Sequence, residues 1–292
     1  MVDYLSLTLL DYRTSSTFLA TLGVELEPLG FGRHGYREGA VGANVPAVEV
    51  YWDGSDGMGS HVRLGGSALR ALEVLGVSPA DLCSLAADLG ARCTRFDWAL
   101  DTALVGVGDV AALVRAGQVR RYGNRWSVIE SDSGASTVYI GARSSMAMMR
   151  AYDCAAVHGL EGRVTRLETE FKAERAQVAF RLFVEQGWAA VTGYVRSAFE
   201  FLAGADVTNR SRARSAGWWE RVCSGAGVLR VSLATAAECS IARCREWVRR
   251  QVAGVLRLVS EYEGGDVSWL SEIVSCAKIP PRRRFLLYSG GV

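Results

Sequence analysis

The sequence predicts an α+β protein: an antiparallel β-sheet core flanked by helices, followed by a mostly helical C-terminal region. Three observations carry this. Short segments of alternating apolar and polar residues, separated by Gly turns, recur through residues 2–172. Segments with apolar spacing of three and four fall between them. After Lys172 the two-residue period gives way to the helical one.

The elements follow in order. VDYLSLTLL (2–10) alternates and reads as a first strand. Residues 13–23 read as a short helix opened by Thr14, Ser15 or Ser16 and closed at Gly23. VPAVEVYW (45–52) and HVRLGG (61–66), joined through DGSDG, predict hairpin strands. SALRALEVLG (67–76) is helical. SPADLCSLAADLG (78–90) is a second helix, capped by Ser78, with Pro79 in its first turn and Gly90 at its end. RCTRFDWALDTALV (92–105) reads as a strand and GDVAALVRAG (108–117) as a helix. WSVIES (126–131) and STVYIGA (136–142) form a predicted hairpin, and MMRAYDC (148–154) and RVTRLETEFK (163–172) complete the sheet. Helices then follow at 174–187, 188–204, roughly 232–262 and 266–278. The domain division expected from this is 1–204, α+β, and 205–292, helical and basic.

With 292 residues, 49% of them hydrophobic and 22% charged, the chain has the composition of a globular protein with a sizeable core. No apolar run approaches the ~18–20 residues that cross a bilayer, and Asp3 with no basic residue ahead of it argues against a signal peptide. The seven cysteines form no CxxC pair and no Cys/His cluster, which fits a reducing compartment and speaks against zinc. A cytoplasmic protein of a bacterial host cell is expected. Net charge is only +2, but it is unevenly spread. Residues 205–257 carry ten Arg against four acids, and Arg282–Arg284 add a second cluster. Arg210, Arg212, Arg214, Arg249 and Arg250, with Arg143 from the sheet region, are candidate DNA contacts. A solvated helical face would give the same excess. Of the basic residues only Lys172 and Lys278 are lysines; the other 31 are arginines.

Chemistry concentrates in the strands. In RFDWALD, Arg95, Asp97, Ala99 and Asp101 share one face and Phe96, Trp98 and Leu100 the other. Asp97 and Asp101 lie about 13 Å apart along a strand, too far to hold one ion together. Asp97, nearer the strand centre, is the candidate. In RVTRLETEFK, Arg166, Glu168, Glu170 and Lys172 share a face. Glu168 and Glu170, about 6.6 Å apart, could share a site. Asp97 with these glutamates makes an all-oxygen set suited to Mg²⁺ or Mn²⁺. Tyr152, with Arg150 and Cys154 on its face, is a candidate nucleophile. A phenol with a pKa near 10 needs a base or a cation to attack at neutral pH, and Arg150 or Lys172 could supply the charge. GxGxxG and Walker A patterns are absent, GFGRHG (30–35) does not open a helix, and no two-histidine metal cradle is spaced along the chain.

The order VDYLSLT, LGGSALRAL, RFDWALD, TVYIGARSS, MRAYD and RLETEFK resembles the replication initiation factors of rolling-circle plasmids and filamentous phages, with related relaxases of integrative elements. The resemblance covers roughly residues 2–175. It implies a tyrosine that nicks one strand at the double-stranded origin, stays on the 5′-phosphate and leaves a 3′-OH, with later strand rejoining and a need for Mg²⁺ or Mn²⁺. Tyr152 matches that tyrosine; Asp97 and Glu168 match the expected acids. The chain reads YDC where the family usually has a lysine after the Asp. The implied partners are origin DNA with an extruded single strand, a host helicase and a host polymerase, with a homodimer one possible assembly and no membrane. The rival readings are a DNA-binding regulator on the same scaffold without nicking, and a relaxase of an integrative element.

Overall fold

The computed structural model describes residues 1–121, 125–130, 136–158, 162, 164–204, 213–231, 245 and 248–277. They divide into two compact units, Met1–Val231 and Ser232–Val292.

In the first unit β1 (Val2–Leu9) is followed by α1 (Tyr12–Thr21), then β2 (Leu26–Pro28), β3 (Glu38–Gly42), β4 (Val48–Trp52) and β5 (Ser60–Leu64). Next come α2 (Gly66–Val74), α3 (Pro79–Asp88), β6 (Arg92–Thr102), α4 (Val107–Arg115), β7 (Val119–Arg121), β8 (Trp126–Glu130), β9 (Ser136–Ile140) and β10 (Ala147–Asp153). The short α5 (Cys154–His158) precedes β11 (Thr165–Lys172), α6 (Ala173–Gln186), α7 (Trp188–Ala198), β12 (Phe199–Phe201) and α8 (Gly217–Val222). In the second unit a π-helical turn, Val248–Val252, leads into α9 (Ala253–Tyr262), and α10 (Ser268–Cys276) follows. Much of the helix expected over 232–262 lies outside the described residues.

Ten strands form one antiparallel sheet in the order β2-β3-β4-β5-β1-β6-β11-β10-β9-β8. The strands of the expected site, β6, β11 and β10, are thereby adjacent, and β1 borders β6. One face of the sheet is apolar because alternate residues are: Leu5, Leu7, Phe96, Trp98, Leu167, Phe171, Met149, Ala151, Val138 and Ile140 are all buried. Helices α6 and α7 cover its centre. Phe96 meets Phe183 at 5.9 Å, Trp98 stacks on Trp188 at 5.8 Å, and Phe171 stacks on Tyr194 at 5.0 Å. The Trp98 indole N–H, which burial would otherwise orphan, donates to Thr192 Oγ1 at 3.1 Å. The other face, left uncovered by these helices, carries the ionisable residues.

Two local readings need correction. The cap of α1 is Asp11, whose carboxylate accepts from the Thr14 amide at 2.7 Å, rather than Thr14, Ser15 or Ser16. A carboxylate oxygen one turn back reaches the orphan amide directly. Cys154 is not a strand residue: it opens α5 and is buried. The chain also stays in the first unit past Gly204. Glu200, 1% exposed, accepts from the Arg196 guanidinium (2.6 and 3.1 Å), from the Ser215 hydroxyl and from the Trp219 indole (3.3 Å). Gly193 lies so close to the carbonyl of Gly227 that a side chain there would collide with it. These contacts bind 213–231 to α7 and β12, and the first compact unit runs to Val231. Trp219 is core, and Trp218 packs on Phe201 at 4.9 Å; Trp247 lies outside the described residues.

Candidate active site

Strand register assembles the polar face. Across β1, β6, β11 and β10, Tyr4 pairs with Asp97 and Asp97 with Glu170; the next row is Ala99, Glu168, Arg150 and Tyr139 of β9; the next is Asp101, Arg166 and Tyr152. Residues as far apart in sequence as Tyr4 and Asp97 thus become neighbours about 4.8 Å apart across strands. A bulge between Val2 and Tyr4 sets Asp3 out of the regular pairing, and its carboxylate accepts from Arg166 at 3.3 Å.

The carboxylates are paired, and Asp97, Glu168 and Glu170 are also buried. Asp97 is fully buried and accepts twice from Arg95, at 2.9 and 2.5 Å. The same guanidinium reaches Glu170 at 2.9 Å, and Lys172 Nζ reaches the other Glu170 oxygen at 2.5 Å. Arg150 pairs with Glu168, which is 1% exposed. Arg166 holds both oxygens of Asp101, at 2.6 and 2.8 Å. Burial costs each charge its hydration, so pairing is the condition for their being there at all. For Asp97 burial wins over the guanidinium: the carboxyl is pushed up to about 7, with Glu168 and Glu170 adding repulsion against the pull of Arg95.

Tyr152 stands half-buried at the edge of this network. Its hydroxyl donates to Glu168 Oε2 across 3.4 Å. Burial and, after it, the Glu168 charge push the phenol up to about 12, while Arg166 and Arg150 act in the opposite direction. Arg166, directly opposite in the register, is the larger of the two favourable charges. Lys172 is six residues further along β11, about 20 Å at strand rise, and is tied to Glu170 and to the Arg143 carbonyl at 2.7 Å. The structure therefore joins Tyr152, Arg150 and Glu168, and leaves Lys172 with Asp97 and Glu170 at the other end of the site. Burial pushes the Cys154 thiol up, with the Arg166 guanidinium acting against it and Asp101 with it. The sequence reading placed Arg95 and Arg166 on the ionisable faces without naming them as site residues, and it passed over Tyr4. The alternation in RVTRLETEFK was the available signal for Arg166; nothing local marks Tyr4.

The expected DNA contacts are dispersed. Arg143 is exposed in the β9–β10 turn, with its guanidinium 5.5 Å from the Tyr139 ring. Arg214 is exposed in the first unit and Arg249 in the π-helical turn of the second, which also contains Arg250. Arg210 and Arg212 lie outside the described residues. A second cluster was not anticipated. The fold brings His34 and His61 to a ring separation of 6.1 Å, with Arg63 donating to Tyr4 Oη at 2.6 Å and meeting His34 Nε2 at 3.2 Å.

A divalent cation suits Asp97, Glu168 and Glu170 in kind: all donors are hard carboxylate oxygens, and the mutual repulsion felt at Asp97 is what a cation would relieve. In arrangement the site differs from a ready cage. Among the described residues no three His, Cys, Asp or Glu side chains stand together as a metal cluster, because Arg95, Arg150 and Lys172 are turned onto these oxygens.

A large antiparallel sheet with helices over one face matches a known architecture. The fold is similar to that of a rolling circle replication initiator protein from Geobacillus stearothermophilus, with a TM-score of 0.67 and 23% identity over 80% of this chain and 97% of that one. The family model described as replication initiation factor matches residues 91–274, more than half of the sequence, and the chain belongs to that family. No curated protein matches the sequence. Among the described residues no helix is long and apolar enough to cross a membrane.

Proposed function

We propose that this replication initiation factor starts rolling-circle replication by nicking one strand of its origin DNA, with Tyr152 as the nucleophile. One observation carries the reading: the Tyr152 hydroxyl donates to the buried Glu168 carboxylate between two guanidinium groups. Family membership and the fold likeness to an initiator support it.

The residues divide the work as follows. The phenol, held near 12, is protonated at neutral pH, so its proton must leave as it attacks. Glu168 Oε2 takes that proton. Tyr152 Oη forms a bond to phosphorus, the bond from phosphorus to the 3′ oxygen breaks, and that oxygen takes a proton from water. The products are a 5′-phosphotyrosine and a free 3′-OH for a host polymerase. Reversal rejoins the strand, because the phosphodiester energy is kept in the tyrosyl ester. Arg166 and Arg150 offset charge on the phosphoryl oxygens. Bound by Asp97, Glu168 and Glu170, Mg²⁺ or Mn²⁺ would add Lewis-acid stabilisation of the same charge. Arg143, Arg214, Arg249 and Arg250, with Arg210 and Arg212, are the proposed phosphate contacts to origin DNA, and the helical unit is an accessory to that binding. A relaxase of an integrative element would use the same chemistry.

The test uses supercoiled DNA carrying the origin, with Mg²⁺ or Mn²⁺. Wild type gives a nicked circle with protein on the 5′ end, and Tyr152→Phe gives none. Glu168→Gln lowers the nicking rate on the order of 10²-fold. A wild-type protein that binds the origin but nicks it with neither metal is a regulator, and nicking that survives Tyr152→Phe moves the nucleophile, with Tyr139 next in line.

A further inference from the structure

Glu168 serves two partners. Its Oε1 is taken by Arg150, and its Oε2 accepts from the Tyr152 hydroxyl at 3.4 Å. Arg166 lies two residues before Glu168 on the same face of β11, within the reach of an arginine side chain. It is held instead by two carboxylates from other strands. Asp101 of β6 accepts from Nε and Nη2 at 2.6 and 2.8 Å, the bidentate geometry that fixes a guanidinium in its plane. Asp3, set out of the regular pairing of β1 by the bulge, accepts from Nη1 at 3.3 Å and also meets Arg70 at 3.6 Å. All three nitrogens of the Arg166 guanidinium are thus engaged, and the side chain is 9% exposed. The register leaves this fixed charge directly opposite Tyr152. Asp3 also feels Glu168: its carboxyl is pushed up first by burial and then by the Glu168 charge.

On the nicking reading given above, we propose that Asp101 and Asp3 are positioning residues: they hold the Arg166 guanidinium opposite Tyr152 and away from Glu168, so that Glu168 Oε2 stays open to the phenol proton. A buried guanidinium does not stay unpaired, so an Arg166 released by these acids turns onto Glu168, two residues along the same face. Glu168 then carries two guanidinium groups where it must accept a proton, and the phosphoryl oxygens lose one of theirs. Neither aspartate takes part in bond making; each acts through Arg166.

Single-turnover nicking of supercoiled origin DNA by the full-length protein, with Mg²⁺ or Mn²⁺, reads the rate, and a gel shift of the same DNA reads binding. Asp101→Asn and Asp3→Asn are each expected to slow nicking on the order of tenfold with binding unchanged. Arg166→Gln, which keeps an amide donor for Asp101, is expected to slow it at least as much. Adding Asp101→Asn or Asp3→Asn to Arg166→Gln should cost nothing further, because the group through which they act is gone. A merely structural role would lower the rate in both backgrounds. Circular dichroism checks the fold of each variant, and Asp3→Asn carries the test if Asp101→Asn does not fold. A folded Asp101→Asn, Asp3→Asn or Arg166→Gln that nicks at the wild-type rate overturns the positioning role, as do losses that multiply with that of Arg166→Gln. Either result leaves Tyr152 and nicking standing. Nicking that is absent from wild type, or that survives Tyr152→Phe, overturns the nicking reading and the positioning role together.

Discussion

A tyrosine in a strand is ordinarily core or surface; Tyr152 is distinguished by its partners. Its hydroxyl meets a buried carboxylate, and its register partner is a guanidinium pinned by Asp101 and Asp3. Removing the hydroxyl should therefore abolish the covalent product while leaving the sheet intact, since a phenylalanine ring fills the same volume. The second cluster makes a separate prediction. Burial first, then His34, Arg63 and Arg92, lower His61 from 6.5 to about 4. Glu49 pulls in the other direction, and Thr8 and Tyr36 also face the ring. Between about pH 4 and 6.5 the unfolded chain binds a proton that the folded one does not, so stability falls as pH drops through that window. Urea unfolding at pH 5 and pH 7 should show a smaller difference for His61→Gln than for wild type; an unchanged difference would mean that His61 does not titrate there.

Among the elements β11 is the most constrained. Every residue from Thr165 to Phe171 is buried, the odd positions on the face where Phe171 stacks on Tyr194 of α7 and the even ones within the ion network. A strand with a charged face and an apolar face is strongly specified in register, because a slip of one residue would put Glu168 and Glu170 into the apolar layer. The turn from β11 into α6 stores strain. Ala173 has φ of 50° and is exposed, so its methyl group resists the left-handed region while contributing no burial. Ala173→Gly should raise stability by about 0.5–1 kcal/mol, read as a shift of the urea midpoint with no change in slope.

On the scale of the molecule, the α+β portion closes only with residues beyond β12. Glu200 sits in the core because Ser215 and Trp219 come back to it, and Phe201 packs against Trp219 at 5.1 Å. A chain cut after Gly204 would leave that carboxylate facing Arg196 alone and would expose the apolar surface that Trp219 covers. Fragment 1–231 should unfold cooperatively, and fragment 1–204 should lack a cooperative transition in thermal or urea melts. Two cooperative transitions of equal midpoint would count against this accounting.

How much was readable in advance follows from the range of the interactions. Alternation in RFDWALD and RVTRLETEF specified strands with one apolar and one ionisable face, and Ser78, Pro79 and Gly90 specified α3, because these signals act over a few residues of backbone. The candidate acids and Tyr152 were picked out by the same alternation. Which base meets which acid was not. Lys172 and Arg166 share a face of one strand, and only the pairing of β10 with β11 places Arg166 beside the tyrosine. The Asp3 bulge, the approach of His34 to His61, and the return of 213–231 to α7 and β12 depend on contacts between distant segments. Local sequence determined the elements and the faces they present; the order of strands in the sheet, a long-range packing outcome, decided which charges neutralise one another and hence what the site can do.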